Sequence, residues 1–510
     1  MLRRIAWPLT TLSVAAMILL GFLGVRELST RRAGAARMVR PSGPNILIII
    51  GDDHAADTLG VEGDRHGATP RIDALAKQGV YFTRAYCNAP VCTASRQSLI
   101  TGKLPHAVGV TRLPTPLPAT AVTLGDWLGD RGYLTAAYGK MHFNSSLKHG
   151  FEDRIDTPQW TKYLRAHPPK GGDRTVPWHP FRDPAPVWLN AKVASYGLPD
   201  ASMEATFFAE KAAEFFQSHK SGGFAMVVSF NEPHSPFKFP DDWTRRFSPD
   251  DFPPPPVSDA DRRSQPKIFQ EVTPDQTRGI AAAYYTSISY LDSKVGQILD
   301  ALDASGLADD TIVVYLGDNG YLRGHHGRFE KHCFYEQSVR VPLTIRWPKH
   351  LPAGKQVHEM VEFVDIMPTL LELAGVEAPT DLQGQSFAKL ARGEPGAKGR
   401  SVVFSEYLEN EEAMVSDGRF KLIVGTGHRQ RRDGYVTDDP TPGPYERLYD
   451  LKADPNEDVD IASRPESAGK LKELRDTLFD RITTTRQSDD RPPPGMGPME
   501  AIRWCLVPRD

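Results

Sequence analysis

Asn45-Ile46-Leu47-Ile48-Ile49-Ile50-Gly51-Asp52-Asp53-His54 runs without a charge as far as Gly51 and then turns abruptly polar. A strand that is apolar at successive positions, rather than at every second one, reads as buried on both faces. That is the mark of a parallel strand inside an α/β sheet. Its polar end falls where open α/β sheets present their sites, at the carboxyl end of a strand. Two later runs repeat the design. Phe224 to Phe230 (FAMVVSF) ends in Asn231-Glu232-Pro233-His234, and Thr311 to Leu316 (TIVVYL) ends in Gly317-Asp318-Asn319-Gly320.

Between these strands the chain alternates. Helical segments are expected at Pro70–Gln78, Thr123–Arg131 and Ala201–His219, with short strands at Val80–Tyr86 and Leu134–Tyr138. Ile280, Tyr284, Ile288, Leu291, Val295, Ile298 and Leu302 recur at three- and four-residue steps, the apolar face of a long amphipathic helix. Trp160 to Leu198 reads as an irregular insertion, and Pro236 to Pro274 as a Pro-rich loop. VPLTIRW and a helix over Asp365–Leu373 complete a main domain of residues 44–395. Beyond it SVVFSEY, EAMVSDGRFKLIV and ERLYDL predict antiparallel strands, with a turn at Asp417-Gly418 and a charged helix from about Glu466 to Arg481. These form a smaller α+β subdomain over residues 396–488. The Pro-rich tail, 489–510, is expected to be poorly ordered or draped over the surface.

The first residues speak to compartment. Met1-Leu2-Arg3-Arg4 precedes Ile5 to Val25, a charge-free run long enough to cross a bilayer. It reads equally as a cleaved signal peptide or a retained anchor (residues 1–26), followed by a linker, 27–43. Either way the chain is expected to be exported, to the periplasm or beyond, with membrane anchoring left open. Among 510 residues, 40% are hydrophobic, 25% are charged and the net charge is -3. That balance excludes wholesale disorder and an overall basic nucleic-acid footprint, so no nucleic-acid partner is expected. Four cysteines (Cys87, Cys92, Cys333, Cys505) are too few for a disulfide scaffold.

Taken singly, an acidic strand end is an ordinary turn. Taken together, Asp52, Asp53, Asp318 and Asn319 form an all-oxygen set of the kind that Ca²⁺ or Mg²⁺ requires. The segment Pro90-Val91-Cys92-Thr93-Ala94-Ser95-Arg96-Gln97-Ser98-Leu99-Ile100-Thr101-Gly102 adds a Cys opening a helix that Gly102 closes. Arg96 lies four residues on, on the same face. A helix N-terminus stabilises anions through its free N–H groups and dipole.

These residues resemble the sulfatase family, within the alkaline phosphatase superfamily. Cys92 to Gly102 matches its Cys-x-Pro/Ala-x-Arg signature and following Thr-Gly pair. Further matching features are Gly51-Asp52-Asp53, Gly139-Lys140-Met141-His142, Pro233-His234-Ser235-Pro236, Gly317-Asp318-Asn319-Gly320 and Lys331 in HGRFEKH. The YYTSISYLDSKVGQILDAL helix, MPTLLELAG and LYDLKADPNE match as well. The resemblance runs from about Asn45 to Glu457 in family order. It implies an alkaline phosphatase-like sandwich: a central mixed, mostly parallel sheet flanked by helices, plus the C-terminal α+β subdomain.

The resemblance also implies roles. Cys92 matches the cysteine oxidised to formylglycine (3-oxoalanine) by a formylglycine-generating maturation enzyme. One hydroxyl of its hydrate attacks sulfur, and the other loses its proton so that the carbon–oxygen bond breaks and sulfate leaves. Asp52, Asp53, Asp318, Asn319 and the modified Cys92 match the ligands of a cation. Ca²⁺ is the family expectation, and Mg²⁺ fits the donors too. Arg96 matches the residue that holds the formylglycine, and Lys140 and Lys331 those that neutralise sulfate. His142 and His234 match the two histidines that serve the diol and the leaving alcohol. Ala94, where proline is commoner, is a family variant. His325-His326, with Arg323 and Arg328, read either as substrate contacts or as a solvated polar loop.

The expected activity is hydrolysis of sulfate esters, with sulfated glycans, aryl sulfates and small alkyl sulfates open as substrates. A phosphonate monoester or phosphodiester hydrolase using the same formylglycine is the alternative. A catalytically silent binding protein would show losses among the nucleophile or metal positions, and none is lost.

Overall fold

Asn45–Gly51 forms β1, buried along its whole length. Because strand side chains alternate between faces, its apolar run divides between two cores. Ile46, Ile48 and Ile50 enter one and Leu47 and Ile49 the other. This strand belongs to a computed structural model that describes residue 41 and residues 43–169, 198–244, 246–428 and 443–509. The Ile5–Val25 run and residues 170–197 of the expected insertion lie outside the described residues. Among those described, no helix is long and apolar enough to cross a membrane.

The central sheet joins β1 to β2 (Val80–Phe82), β4 (Leu134–Gly139), β5 (Asp153–Ile155), β6 (Phe224–Ser229), β7 (Thr311–Gly317), β9 (Leu343–Arg346) and β10 (Lys355–Val357). Their order is β10-β2-β9-β7-β1-β6-β4-β5. β9 runs antiparallel to both its neighbours, and every other pair is parallel. A small sheet pairs β3 (Ala85–Tyr86) with β8 (Arg340–Val341) and β11 (Val361–Glu362). Helices cover both faces, including the long helix Pro274–Ala304, whose Ile280, Tyr284, Ile288 and Leu291 enter the second core.

The C-terminal sheet is β12 (Val403–Tyr407), β13 (Glu412–Ser416), β14 (Phe420–Gly425) and β15 (Tyr445–Asp450), antiparallel throughout. Alternation divides this sheet too. Val403, Met414, Ile423 and Tyr449 join the first central core. Phe404, Val415, Leu422 and Leu448 pack under the helix Ala468–Thr484. The change of texture near residue 395 therefore marks a change of sheet that leaves the hydrophobic core continuous.

Two expectations need correction. The insertion begins regularly, since Thr157–Ala166 is a helix with Trp160 buried. The tail is not merely draped: Pro498–Leu506 forms a helix that buries Ala501, Ile502, Cys505 and Leu506 in the C-terminal core. Its prolines precede the helix or open it at the first turn, where a missing N–H costs nothing.

Candidate active site

Four neighbouring parallel strands end level with one another. Gly51 of β1 lies opposite Gly317 of β7, Ile50 lies opposite Ser229 of β6, and Gly139 of β4 lies opposite the same Ser229. The residues that follow, Asp52-Asp53, Asp318-Asn319, Lys140 and the loop to His234, are thereby delivered to one edge. Gly139 permits the close approach. It holds φ +89°, and a Cβ there would lie 2.0 Å from the Ser229 carbonyl oxygen.

The helix Cys92–Thr101 points its N-terminus at this edge, and all ten of its residues are buried. Gly102 ends it in the left-handed conformation. Ala94 lies in the first turn, whose N–H groups have no intrahelical acceptor. Ser95 Oγ donates to the Asp318 carbonyl at 2.5 Å. Arg96 Nε donates to Asp318 Oδ2 at 2.7 Å, and its Nη1 donates to the Lys140 carbonyl at 2.5 Å and to Ser229 Oγ.

Around Cys92 the charges alternate. Lys331 Nζ stands 3.7 Å from Cys92 Sγ and donates to Asp53 Oδ1, while Lys140 Nζ donates to Asp52 Oδ2. Ligand atoms of Asp52, Cys92 and His234 all lie within 4.8 Å of one another, as do those of Asp52, Asp53 and Asp318. Asn319 Nδ2 donates to Asp53 Oδ1 at 2.7 Å. His234 Nδ1 meets the Ser235 carbonyl. A carbonyl only accepts, so Nδ1 carries the proton. Burial, with Lys331 and Lys140 nearby, keeps the ring neutral, so Nε2, 3.8 Å from Asp53 Oδ2, keeps its lone pair. His142 follows Lys140 at the same strand end, with its carbonyl held by Gln97 Nε2 at 2.9 Å.

A family model described as Sulfatase matches residues 44–376, and one described as N-sulphoglucosamine sulphohydrolase, C-terminal, matches residues 324–484. The chain belongs to the sulfatase family. It is a sulfuric ester hydrolase of the alkaline phosphatase superfamily. It is similar to a sulfatase of Formosa agariphila, 27% identical with 85% of this chain and 86% of that protein covered. A delta 4,5-hexuronate-2-O-sulfatase of Bacteroides thetaiotaomicron is 28% identical, with 90% and 92% covered. Among solved structures, the phosphonate monoester hydrolase of Agrobacterium radiobacter shares the fold with a TM-score of 0.71 at 24% identity, with 87% of this chain and 96% of that one covered.

In this sulfatase the three carboxylates cannot all be ionised cheaply. Burial opposes charge on Asp52, but the Lys140 and Arg96 cations overcome it and hold Asp52 well below the usual carboxylate range. Burial, aided by Asp52, raises Asp53 despite Lys331. Burial likewise pushes Asp318 up to about 7 against Arg96. Asp52 Oδ1 and Asn319 Oδ1 are buried acceptors without a hydrogen bond. An all-oxygen donor set of three carboxylates and an amide, with unused acceptors, fits a hard divalent cation. Burial also raises the Cys92 thiol despite Lys140 and Lys331, leaving it protonated and a poor nucleophile as cysteine.

Some contributors were invisible in the sequence. Ser229 and Ser95 anchor the guanidinium and the helix, and Gln97 holds the Met141 and His142 carbonyls. Nothing local marks them, because their partners arrive from other strands. Arg323, His326 and Arg328 are neither solvated nor aimed at Cys92. They are buried against Asp57 at 2.6 Å, Asp261 at 3.1 Å and Glu330 at 2.8 Å. Cys87 is buried and unbonded, so no disulfide occupies Cys92.

Proposed function

We propose that this protein is an exported, metal-dependent sulfatase that removes sulfate from sulfated glycans or their fragments through a formylglycine made from Cys92. The observation that carries the reading is the placing of Cys92. It opens a buried helix 3.7 Å from the Lys331 ammonium, with Asp52 and His234 ligand atoms within 4.8 Å. Hydrated formylglycine would supply at this position a nucleophilic hydroxyl toward sulfur and a second hydroxyl whose deprotonation releases sulfate. A cation held by Asp52, Asp53, Asp318 and Asn319 would lower the pKa of that nucleophile and polarise the sulfate oxygens.

The chain's own residues do the rest. Lys331 and Lys140 bring positive charge to where sulfate oxygens gather negative charge, in a setting largely shut from water. Arg96 locks the helix to β7, so the side chain at 92 is aimed before substrate arrives. His234, with Nε2 unprotonated and facing the nucleophile, accepts a proton. His142 is left to serve the alcohol that departs.

Sulfated glycan as substrate rests on the hexuronate-2-O-sulfatase relative and on the N-sulphoglucosamine sulphohydrolase family model. Export rests on Arg3, Arg4 and the apolar run Ile5–Val25. The deciding experiment is peptide mass spectrometry of the Cys92 fragment from protein co-expressed with a maturation enzyme. It is followed by sulfate release from sulfated disaccharides beside a phosphonate monoester control. An aldehyde at residue 92 with preferred sulfate release is expected. Faster turnover of the phosphonate ester would overturn the sulfatase reading in favour of phosphorus chemistry.

A further inference from the structure

Asp454-Pro455-Asn456-Glu457-Asp458 sits in the late stretch that resembles the family, yet it lies outside the catalytic cluster. Its Glu457 is 1% exposed and holds left-handed backbone, φ +59°, rare for a side chain of this kind. Glu457 Oε1 accepts from Lys421 Nζ at 2.7 Å, and Oε2 accepts from the Glu336 backbone N–H at 2.7 Å. The Lys421 side chain, on β14, is completely buried. It also donates to the Phe334 carbonyl at 2.8 Å and lies 2.7 Å from Glu336 Oε1. Next in sequence, Asp458 comes within 4.8 Å of the His326 and Asp261 ligand atoms.

These attachments bracket Lys331, with His326 before it in the chain and Phe334 and Glu336 after it. The inner side of the same segment is tied to the strand-end loops. Ser338 Oγ donates to the Lys331 carbonyl, and the Gly320 N–H donates to the Ser338 carbonyl at 2.7 Å. A Cβ on Gly320 would stand 2.0 Å from the Gln337 carbonyl oxygen. The segment is thus held between the Asp318–Gly320 turn and the C-terminal sheet, with the Lys331 ammonium reaching Cys92. A buried ion cluster adds little net stability compared with apolar packing of the same volume, but its directional bonds fix register. A lysine on a flexible stem meets a sulfate oxygen reproducibly only when its backbone is fixed.

We propose that Lys421 and Glu457 are positioning residues for Lys331, through which the C-terminal sheet sets the geometry of sulfate neutralisation. The inference rests on Lys331 acting as the proposed function assigns it.

The test is a double-mutant cycle on the matured full chain. Lys421→Met and the milder Glu457→Gln are made alone and with Lys331→Ala, and kcat and KM are read on 4-nitrophenyl sulfate at equal formylglycine content. In the wild-type background kcat is expected to fall about 10- to 100-fold. Beside Lys331→Ala the same changes are expected to cost less than about twofold, because the residue they aim is gone. Equal losses in both backgrounds, or no loss in either, would overturn the proposal. If Lys331→Ala itself is harmless, it is the role of Lys331 that fails. Amide exchange then judges the clamp on its own, with no need of turnover. Glu457→Gln is expected to speed exchange over residues 330–339 and leave residues 92–101 unchanged, and unaltered exchange at 330–339 refutes the clamp.

Discussion

Arg96 and Asp318 form a buried pair, Nε to Oδ2 at 2.7 Å with both side chains no more than 2% exposed, joining the Cys92 helix to the end of β7. The same guanidinium reaches the Lys140 carbonyl and Ser229 Oγ, so one side chain ties the helix to the ends of β7, β6 and β4. Removing one member of a buried pair strands the other's charge, at a cost of about 3–5 kcal/mol. Arg96→Ala is therefore expected to lower the urea midpoint strongly as well as to abolish sulfate release. Arg96→Lys should rescue only part of the stability, because an ammonium cannot span the fork. An Arg96→Ala protein as stable as the parent would contradict this account.

Ca²⁺ binding should appear as stability. Asp53 and Asp318 are held above their usual range by burial among like charges, and a divalent cation bound there would relieve that repulsion. At a hundred times its Kd a ligand that binds only the folded state adds about 2.7 kcal/mol. Thermal unfolding with chelator and then with excess Ca²⁺ should show an upward shift in Tm. Asp318→Asn should reduce it. A Tm indifferent to Ca²⁺ and Mg²⁺ alike would argue against the cation site.

Gly139 cannot be replaced without moving Lys140. Its left-handed φ of +89° costs alanine about 1–2 kcal/mol. Its Cβ would also meet the Ser229 carbonyl oxygen at 2.0 Å, so β4 must separate from β6 at the strand end. Gly139→Ala should be destabilised by more than the dihedral cost alone and should lose turnover, as read by chemical denaturation and a sulfate-release assay.

Asp292 carries a pH dependence remote from the site. Burial raises its pKa to about 7 from 3.8, despite N–H bonds from Ile72 at 2.8 Å and Arg71 at 3.0 Å. With the folded value above the unfolded one, its contribution is full below about pH 4. It is lost as pH rises through 7, at up to about 1.4 kcal/mol per pH unit. The stability of the parent relative to Asp292→Asn should therefore decline between pH 4 and pH 7. A flat difference across that range would show that Asp292 stays ionised.

Much of the candidate site was legible because its residues sit at the ends of apolar strands or at the start of a helix closed by glycine. Such positions carry local signals. Pro70–Gln78 and Cys92–Thr101 follow from a first-turn proline in one case and a terminal Gly102 in the other. Arg323, His326 and Arg328 show the opposite case. A run of charges looks solvated in sequence, and only the arrival of Asp57 and Asp261 from distant segments lets it be buried. The tail helix misled for a related reason. The residues before it are proline-rich, and the apolar face that fixes it, Ile502 and Leu506, acquires meaning only against the C-terminal core.

The sequence by itself determined that apolar strands with acidic ends build an α/β sheet and that an oxygen-rich, cation-competent set accompanies a cysteine at a helix N-terminus. Those properties reside in short stretches of chain, where periodicity and turn chemistry act. The tertiary structure alone decided that β7, β1, β6 and β4 lie side by side with their ends level, which is what gathers Asp52, Asp318 and Lys140. It alone brought Lys421 and Glu457 beneath the segment that carries Lys331. Strand order and the burial of charge depend on contacts between residues far apart in the chain, and their energies exist only once the partners have met.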